Sequence, residues 1–426
     1  MKIVHLVQSV EPYGAPSPEA RTAHTLPVAQ AEVGHEVTLV AIAPAHDVDA
    51  VQPNQRLARR LSPLEVPGTP ALTVEVLEGQ LVGSHVRLFL LVFPETAAQP
   101  AAFARAAVAL LQSLPRRPEI VHLHQVTGVD ADTVREALGG PAVVQSVYDA
   151  RGSDPSLVHA IQDADSVVVP CSGLAATDAD PPPEVARALA TLATVRVLPP
   201  GLDAGQYNPA HDPALEARYA ADRLQGRVRC REALQRRAEL PPRSEVPILG
   251  VWTRGGPDGG TAGLVEVMKE LEPLDLQVVA LPSDAPEDAA FLAALRERAA
   301  TAVLPDASNG SLRGMLAGAD ALLIPDLLAP LGERALIALR YGLVPIARRV
   351  HAHRDILVEY DARSNSGGAF LFDTEAEIFQ AVHRMTRAYA DSGAWGSMVR
   401  ANLLVESTWE RCLAHLDQIY RKALAK

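Results

Sequence analysis

A chain of 426 residues with 48% hydrophobic and 21% charged residues can fill more than one core, and that balance excludes wholesale disorder. A formal net charge of −12 argues against nucleic acid as the main partner, because phosphate backbones demand clusters of Lys and Arg. A neutral sugar makes no such demand, and an anionic nucleotide sugar needs only a local basic clamp.

Met1-Lys2 leads straight into an apolar run at 3–7, too short for a signal-peptide core, and it reads as a first strand. No apolar stretch reaches membrane-spanning length, so the expectation is a cytoplasmic protein with no membrane partner. Short apolar runs then alternate with helical patterns. In the first half, strands are expected at 3–7, 36–42, 86–92, 120–124, 142–147 and 166–169, with helices such as 18–33 and 101–114 between them. The second half repeats the pattern, with strands at 247–253, 277–281, 302–304, 321–325, 343–347 and 369–372. Its expected helices are 263–271, 286–299, 312–317, 333–341 and 375–390. A long amphipathic helix, 409–424, closes the chain. Alternation of this kind signals α/β architecture, namely two Rossmann-like doubly wound domains facing a cleft.

Pro199-Pro200-Gly201 and Pro241-Pro242-Arg243 punctuate the middle. The expected organisation is an N-terminal domain at 1–200, an interdomain segment at 201–245 and a C-terminal domain at 246–408. The final helix, 409–426, would pack back on the N-terminal domain. Asp180-Pro181-Pro182-Pro183 reads as a loop. Cys171, Cys230 and Cys412 fit no metal spacing and read as free thiols. There are only four lysines, Lys2, Lys269, Lys422 and Lys426, so arginine supplies nearly all the positive charge.

Five collinear pieces resemble one family. Residues 1–40 carry a strand, an S-V-x-P-Y turn and, at Gly34–Val37, G-H-E-V; Val121–His124 is V-H-x-H; residues 201–209 read G-L-D-x-x-x-Y-N-P; and AGADALLIP (317–325) and ALRYGLVP (338–345) follow. Together the chain is similar to the glycogen and starch synthases over nearly its whole length. The resemblance implies a GT-B glycosyltransferase with an ADP-glucose or other nucleotide-sugar donor, an α-1,4-glucan acceptor, retention at the sugar, and no metal or other cofactor.

Several positions depart from what the resemblance implies. The family's K-x-G-G-L loop, whose lysine contacts the diphosphate, aligns with Ala15-Pro16-Ser17-Pro18-Glu19. Its I-H-N histidine, near the reacting sugar, aligns with Tyr148, and the segment that follows is abbreviated. In the clamp motif Arg254 is kept, but the lysine position is Gly259. In E-P-x-G-L the glutamate is Ala329, while Pro330, Leu331, Gly332 and Glu333 keep the turn. The later T-G-G-L aligns with Val350–His353. Arg254 is therefore the expected catalytic residue, and Tyr13, Gly14, Tyr148, Pro330, Leu331, Gly332 and Glu333 are the expected nucleotide- or sugar-binding set.

Blander readings stand beside these. Glu333 reads as a first-turn acid favoured by the helix dipole. His351 and His353 read as surface polar residues rather than metal ligands. His122 and His124 read as strand-end histidines lining the cleft rather than catalytic ones. The glycines at 255–260 lack the G-K-[ST] of a phosphate loop. Three functions stay open: a transferase with weak or lost activity, a non-catalytic binding or regulatory partner in glycogen metabolism, and a purely structural interaction surface with a protein partner.

Overall fold

The computed structural model describes residues 1–14, 17–43, 57–59, 62–68, 71–93, 100–128, 130–175, 182–253 and 255–426. They form two compact units, Met1–Gly201 with Thr408–Lys426, and Leu202–Ser407.

In the first unit the strands are β1 (Lys2–Val7), β2 (Glu36–Ala43), β3 (Ala58–Arg59), β4 (Leu64–Val66), β5 (Leu72–Gln80), β6 (Arg87–Val92), β7 (Ile120–His124), β8 (Ala142–Ser146), β9 (Ser166–Val169) and β10 (Val195–Val197). Their order is β10-β9-β8-β7-β1-β2-β6-β5-β3, with β4 beside β5. The strands from β10 to β6 are parallel, and β5 closes that edge antiparallel to β6. The β3–β5 region was not expected as strand, because it mixes charged and apolar residues without the continuous apolar signature of a buried strand. Its helices are α1 (Pro18–Glu32), α2 (Pro100–Ser113), α3 (Ala131–Leu138), α4 (Pro155–Asp163) and α5 (Glu184–Thr191).

Period-two alternation assigns the two faces of this sheet. Val4, Leu6, Val121, Leu123 and Val143 pack into one core with α2. Ile3, Ile120 and Val144 face the C-terminal helix Trp409–Leu424, which buries Trp409, Leu413, Leu416, Tyr420 and Ala423 on one stripe. That helix lies against the sheet of this unit, and the Lys426 ammonium donates to the Asp165 carbonyl. Gly201 lies so close to Trp409 that a Cβ there would meet its backbone at 2.5 Å.

In the second unit the helix α6 (Gln225–Arg237) precedes the six parallel strands β11 (Ile248–Val251), β12 (Gln277–Ala280), β13 (Thr301–Val303), β14 (Ala321–Ile324), β15 (Val344–Arg348) and β16 (Phe370–Phe372), ordered β13-β12-β11-β14-β15-β16. The remaining helices are α7 (Leu264–Glu270), α8 (Ala289–Glu297), α9 (Asn309–Gly318), α10 (Glu333–Arg340), α11 (His351–Ile356), α12 (Ile378–Tyr389) and α13 (Ser392–Leu403). Residues 202–245 belong to this unit. Cys230 and Leu234 of α6 press so closely on Gly318 of α9 that a Cβ on that glycine would lie 2.6 Å from the Cys230 carbonyl oxygen. Arg231 pairs with Asp320 and donates to the carbonyls of Arg243 and Val246. The helices expected at 286–299 and 375–390 begin as 3-10 turns, Pro286–Asp288 and Glu375–Glu377. All three cysteines are buried free thiols. Among the described residues no helix is long and apolar enough to cross a membrane.

Strand order places each unit's ligand crevice. In an open α/β sheet it lies outside the carboxyl ends of the strands, where the winding reverses. Here the reversal falls between β1 and β7 in the first unit, and between β11 and β14 in the second. Leu416, fully buried beneath the first sheet, anchors the C-terminal helix. Leu416→Ala should cost about 2–5 kcal/mol. Hydrogen exchange should lose protection across residues 2–7, 120–124 and 409–424 while β11–β16 stay protected.

Candidate functional site at the two switch points

At the β1/β7 reversal lies a pocket of about 550 Å³. Val7, Gln8 and Ser9 leave β1 on one side, His124, Gln125 and Thr127 leave β7 on the other, and Ser17, Glu19, Tyr148, Asp149 and Asp154 complete the wall. Among the described residues that line it there is no Lys or Arg. At the start of α1, Ser17 caps the helix by accepting from the Ala20 amide at 3.0 Å, and Pro18 has no amide proton to offer. Glu19 adds negative charge in that first turn. A phosphate arriving there would find a donor already used, a donor missing and a like charge. Asp149 is paired with the exposed Arg151 at 2.9 Å, and Asp154 caps α4.

Tyr148, which aligns with the family histidine, stands on this wall. Its backbone amide and that of Asp149 donate to Gln125 Oε1 at 2.7 and 3.0 Å. Tyr13 and Gly14 pack beside the end of β1. Tyr13 is a core residue beside Val7, Val10 and Ala23, and burial pushes its phenol up to about 12. Gly14 sits so near Ser9 that a Cβ would lie 2.2 Å from Oγ.

Beneath the pocket the β1, β7 and β8 registers pair His5 with His122 and His124 with Ser146, all on the face covered by α1 and the C-terminal helix. The result is a buried polar cluster. His5 Nδ1 lies 2.8 Å from His124 Nε2, and His5 Nε2 lies 2.6 Å from Gln30 Oε1. Gln30 Nε2 donates to the Tyr420 hydroxyl, which lies 2.7 Å from His122 Nδ1. His122 Nε2 meets Ser146 Oγ, and His124 Nδ1 meets the Tyr148 hydroxyl, both at 2.7 Å. Burial pushes His5 down to about 4 and lowers His122 and His124 well below the usual imidazole range. It also raises the Tyr148 and Tyr420 phenols. The cluster is therefore neutral at pH 7.

Donor atoms of His5, His122 and His124 lie within 4.8 Å of one another, which invites a metal. Two observations favour hydrogen bonding instead. All six ring nitrogens already have partners, and the His122 and His124 rings are stacked at 24°, so their in-plane lone pairs run side by side. His122 is fully enclosed rather than cleft-lining, and only His124 also reaches the pocket wall. His5, Gln30 and Tyr420 escaped sequence reasoning, since they come from β1, α1 and the C-terminal helix. The one legible signal was histidine at matching points of two strands, with the same period-two spacing.

At the second switch point Arg254, expected to clamp phosphate, lies outside the described residues. Gly255, Gly256 and Gly260 take φ of 70°, 72° and 68°. A Cβ on Gly260 would stand 2.1 Å from the Pro325 carbonyl, so this loop packs onto the end of β14, where Leu327 also donates to the Asp258 carbonyl at 2.9 Å. Lys269 points elsewhere, exposed on α7 and paired with Glu266.

The Pro330–Glu333 turn enters α10 through Gly332, whose φ of 58° is left-handed. A Cβ there would meet Ile356 at 2.6 Å. Ala329 and Leu331 are buried, and Glu333 sits half-buried in the first turn. The next residue matters more. Buried Arg334 donates to the Trp252 carbonyl at 2.7 Å, beyond the end of β11, and pairs with Asp326, beyond the end of β14. An internal ion pair thus spans the reversal itself. Arg348 donates to the Asp373 carbonyl at 2.8 Å and lies 3.8 Å from Glu375, and Arg349 lies 3.5 Å from both Glu359 and Asp373.

The reading of His351 and His353 as surface polar residues is corrected for His353. It is 1% exposed, within α11, and its Nδ1 donates to the Arg348 carbonyl at 2.9 Å. Burial holds it down to about 4. His351 keeps a φ of 41°, a left-handed backbone at a position that aligns with a family glycine.

No family model matches the chain. It is 30% identical over 481 aligned positions to the glycogen synthase of Anaeromyxobacter dehalogenans (strain 2CP-1), covering 99% of both chains. The chain belongs to the glycogen synthase family. A second glycogen synthase, from Anaeromyxobacter sp. (strain Fw109-5), is 29% identical over the full length of both. The catalytic domain of starch synthase IV from Arabidopsis thaliana, solved bound to ADP and acarbose, shares the fold with a TM-score of 0.83 at 19% identity, over 100% of this chain and 99% of that one. The fold is accordingly that of the GT-B glycosyltransferases, with two Rossmann-like units.

Two measurements check the charge assignments. His5, His122, His124 and His353 bind protons less tightly folded than unfolded, so their contribution is complete well above pH 6.5 and is lost as pH falls below it, down to about 4 for His5 and His353. Urea midpoints should hold from about pH 8.5 to 7.5. Stability should then fall by about 1.4 kcal/mol per pH unit for each histidine. Asp326→Ala should cost about 3–5 kcal/mol by leaving Arg334 buried without its carboxylate, seen as an earlier unfolding midpoint for the second unit.

Proposed function

We propose that this member of the glycogen synthase family keeps the scaffold but transfers glucose from a nucleotide sugar weakly or not at all, and serves as a binding or regulatory partner in glycogen metabolism. The observation that carries the reading is the charge balance at the switch points. Transfer from ADP-glucose builds charge on a departing diphosphate, and fixed, uncompensated cations must meet it. Among the described residues, the wall of the first pocket has acids and no Lys or Arg. In the second unit Arg334 is neutralised by Asp326, and Arg348 and Arg349 have carboxylates beside them. The two family lysines, the histidine and the glutamate are replaced by Ala15, Gly259, Tyr148 and Ala329. Loss of one preorganised donor costs about two to three orders of magnitude in rate. These losses do not simply add, yet all fall on one reaction.

Arg254 supports the opposing reading of a working transferase with an altered clamp, because it is the one member of the motif retained in the sequence. The first pocket, rich in hydrogen-bond acceptors, suits a neutral sugar such as the end of an α-glucan and favours a binding role over a purely structural one.

The test is elongation of glycogen from ADP-glucose, run beside the Anaeromyxobacter dehalogenans enzyme. The expected rate is at least about a hundredfold lower, with no calorimetric heat from ADP. A rate within tenfold of that enzyme's, abolished by Arg254→Ala, would establish the transferase instead.

A further inference from the structure

The buried cluster below the first pocket has a direction. Gln30 Oε1 can only accept, so His5 Nε2 carries the hydrogen. In a neutral ring His5 Nδ1 is then a lone pair, and the contact with His124 needs the hydrogen on His124 Nε2. His124 Nδ1 is left as an acceptor and takes the single proton of the Tyr148 phenol. On the other side Gln30 Nε2 donates to the Tyr420 oxygen, and Tyr420 donates to His122 Nδ1. His122 Nε2–H then donates to Ser146. Seven side chains from β1, α1, β7, β8, the residue Tyr148 beyond β8 and the C-terminal helix form one relay that runs from Tyr148 through His124, His5, Gln30, Tyr420 and His122 to Ser146. Each hydrogen bond along it points in the same sense.

Imidazoles and hydroxyls do not choose that sense. A neutral imidazole can carry its hydrogen on either nitrogen, and a hydroxyl can rotate. The amide alone has one end that accepts and another that donates. Turning it over would reverse every bond and move all three ring hydrogens to Nδ1.

We infer that Gln30 is a positioning residue whose amide fixes the sense of the relay and thereby commits Tyr148 to the pocket as a hydrogen-bond acceptor. The inference rests on the reading of that pocket as a ligand site. Tyr148 has one proton and His124 holds it, so the residue has none to give to a phosphate or a leaving group. It can take a hydrogen bond from a sugar hydroxyl. With Glu19 and Asp154 on the same wall, the pocket selects neutral polyhydroxylated ligands and rejects anions. Gln30 is fully buried, touches no pocket atom described above, and acts only through the relay.

Long-range proton–nitrogen spectra of the ¹⁵N-labelled full chain at pH 7.5 decide the sense. The expected result is Nε2–H at His5, His122 and His124 alike. Nδ1–H at all three, or a mixture, overturns the proposal. Tyr420→Phe should disturb His122 alone, because Gln30 still accepts from His5, and this conservative change keeps the test valid if Gln30→Leu fails to fold. A folded Gln30→Leu should lose the single tautomer at His5 and His124 and bind maltohexaose about tenfold more weakly, the worth of one oriented hydrogen bond. Unchanged His5 and His124 tautomers in that variant also overturn it. In titrations of the unmodified chain, maltohexaose should shift the His124 and Tyr148 resonances, and inorganic phosphate should not. Phosphate shifts would contradict an acceptor-only Tyr148. Silence with both probes, with the three Nε2–H tautomers in place, would refute the pocket as a ligand site and leave the relay standing.

Discussion

A diphosphate is held where positive charge is left over, and in this chain the described arginines at the strand ends have partners of their own. The Arg334–Asp326 pair sits where the second sheet reverses, tying the end of β11 to the end of β14. An isolated buried guanidinium would be costly, so the carboxylate stabilises it, and the same contact removes its charge from the reach of a ligand. The first switch point achieves a similar outcome by other means, with a self-capped helix start and Glu19 in place of glycines and a lysine. Both arrangements leave the backbone of the glycogen synthase family in place. They change what the crevices can attract.

The second organising feature is a consequence of strand register. Parallel pairing of β1 with β7 and of β7 with β8 places His5, His122, His124 and Ser146 on one face. That face is covered by α1 and the C-terminal helix, so water is excluded and the polar atoms must satisfy one another. Gln30 and Tyr420 arrive from those covering helices and complete the set. The same burial that keeps the imidazoles neutral makes the relay depend on every member. It also links the C-terminal helix, more than 400 residues along the chain, to a side chain on the pocket wall. Stability and recognition in the first unit thus draw on one group of contacts.

Two positions in the second unit illustrate how backbone geometry outlasts chemistry. Gly332 still opens α10 in a left-handed conformation, although the residue that aligns with the family's glutamate at the head of that turn is Ala329. His351 holds a positive φ at a position that aligns with a family glycine. Such positions are constrained by packing against neighbours, Ile356 and Ala352 in the case of Gly332. They are therefore poor witnesses to catalysis.

Much of the fold was legible in the sequence because buried parallel strands are continuous apolar runs and their helices carry a 3.6-residue stripe. β7, β9 and the C-terminal helix fall where the pattern puts them. The edge strands β3 to β5 were not legible, since a strand exposed to solvent mixes charged with apolar residues. Of the site, the sequence by itself determined which chemical groups are missing, because none of the four lysines stands at or near the two family positions, now Ala15 and Gly259. Tertiary structure alone decided what the remaining groups do. It buried Tyr13 and His353, neutralised Arg334, and joined His5 to Gln30 and Tyr420. Charge compensation and hydrogen-bond direction depend on distances of about 3 Å between residues hundreds of positions apart, and no local pattern in a chain encodes those.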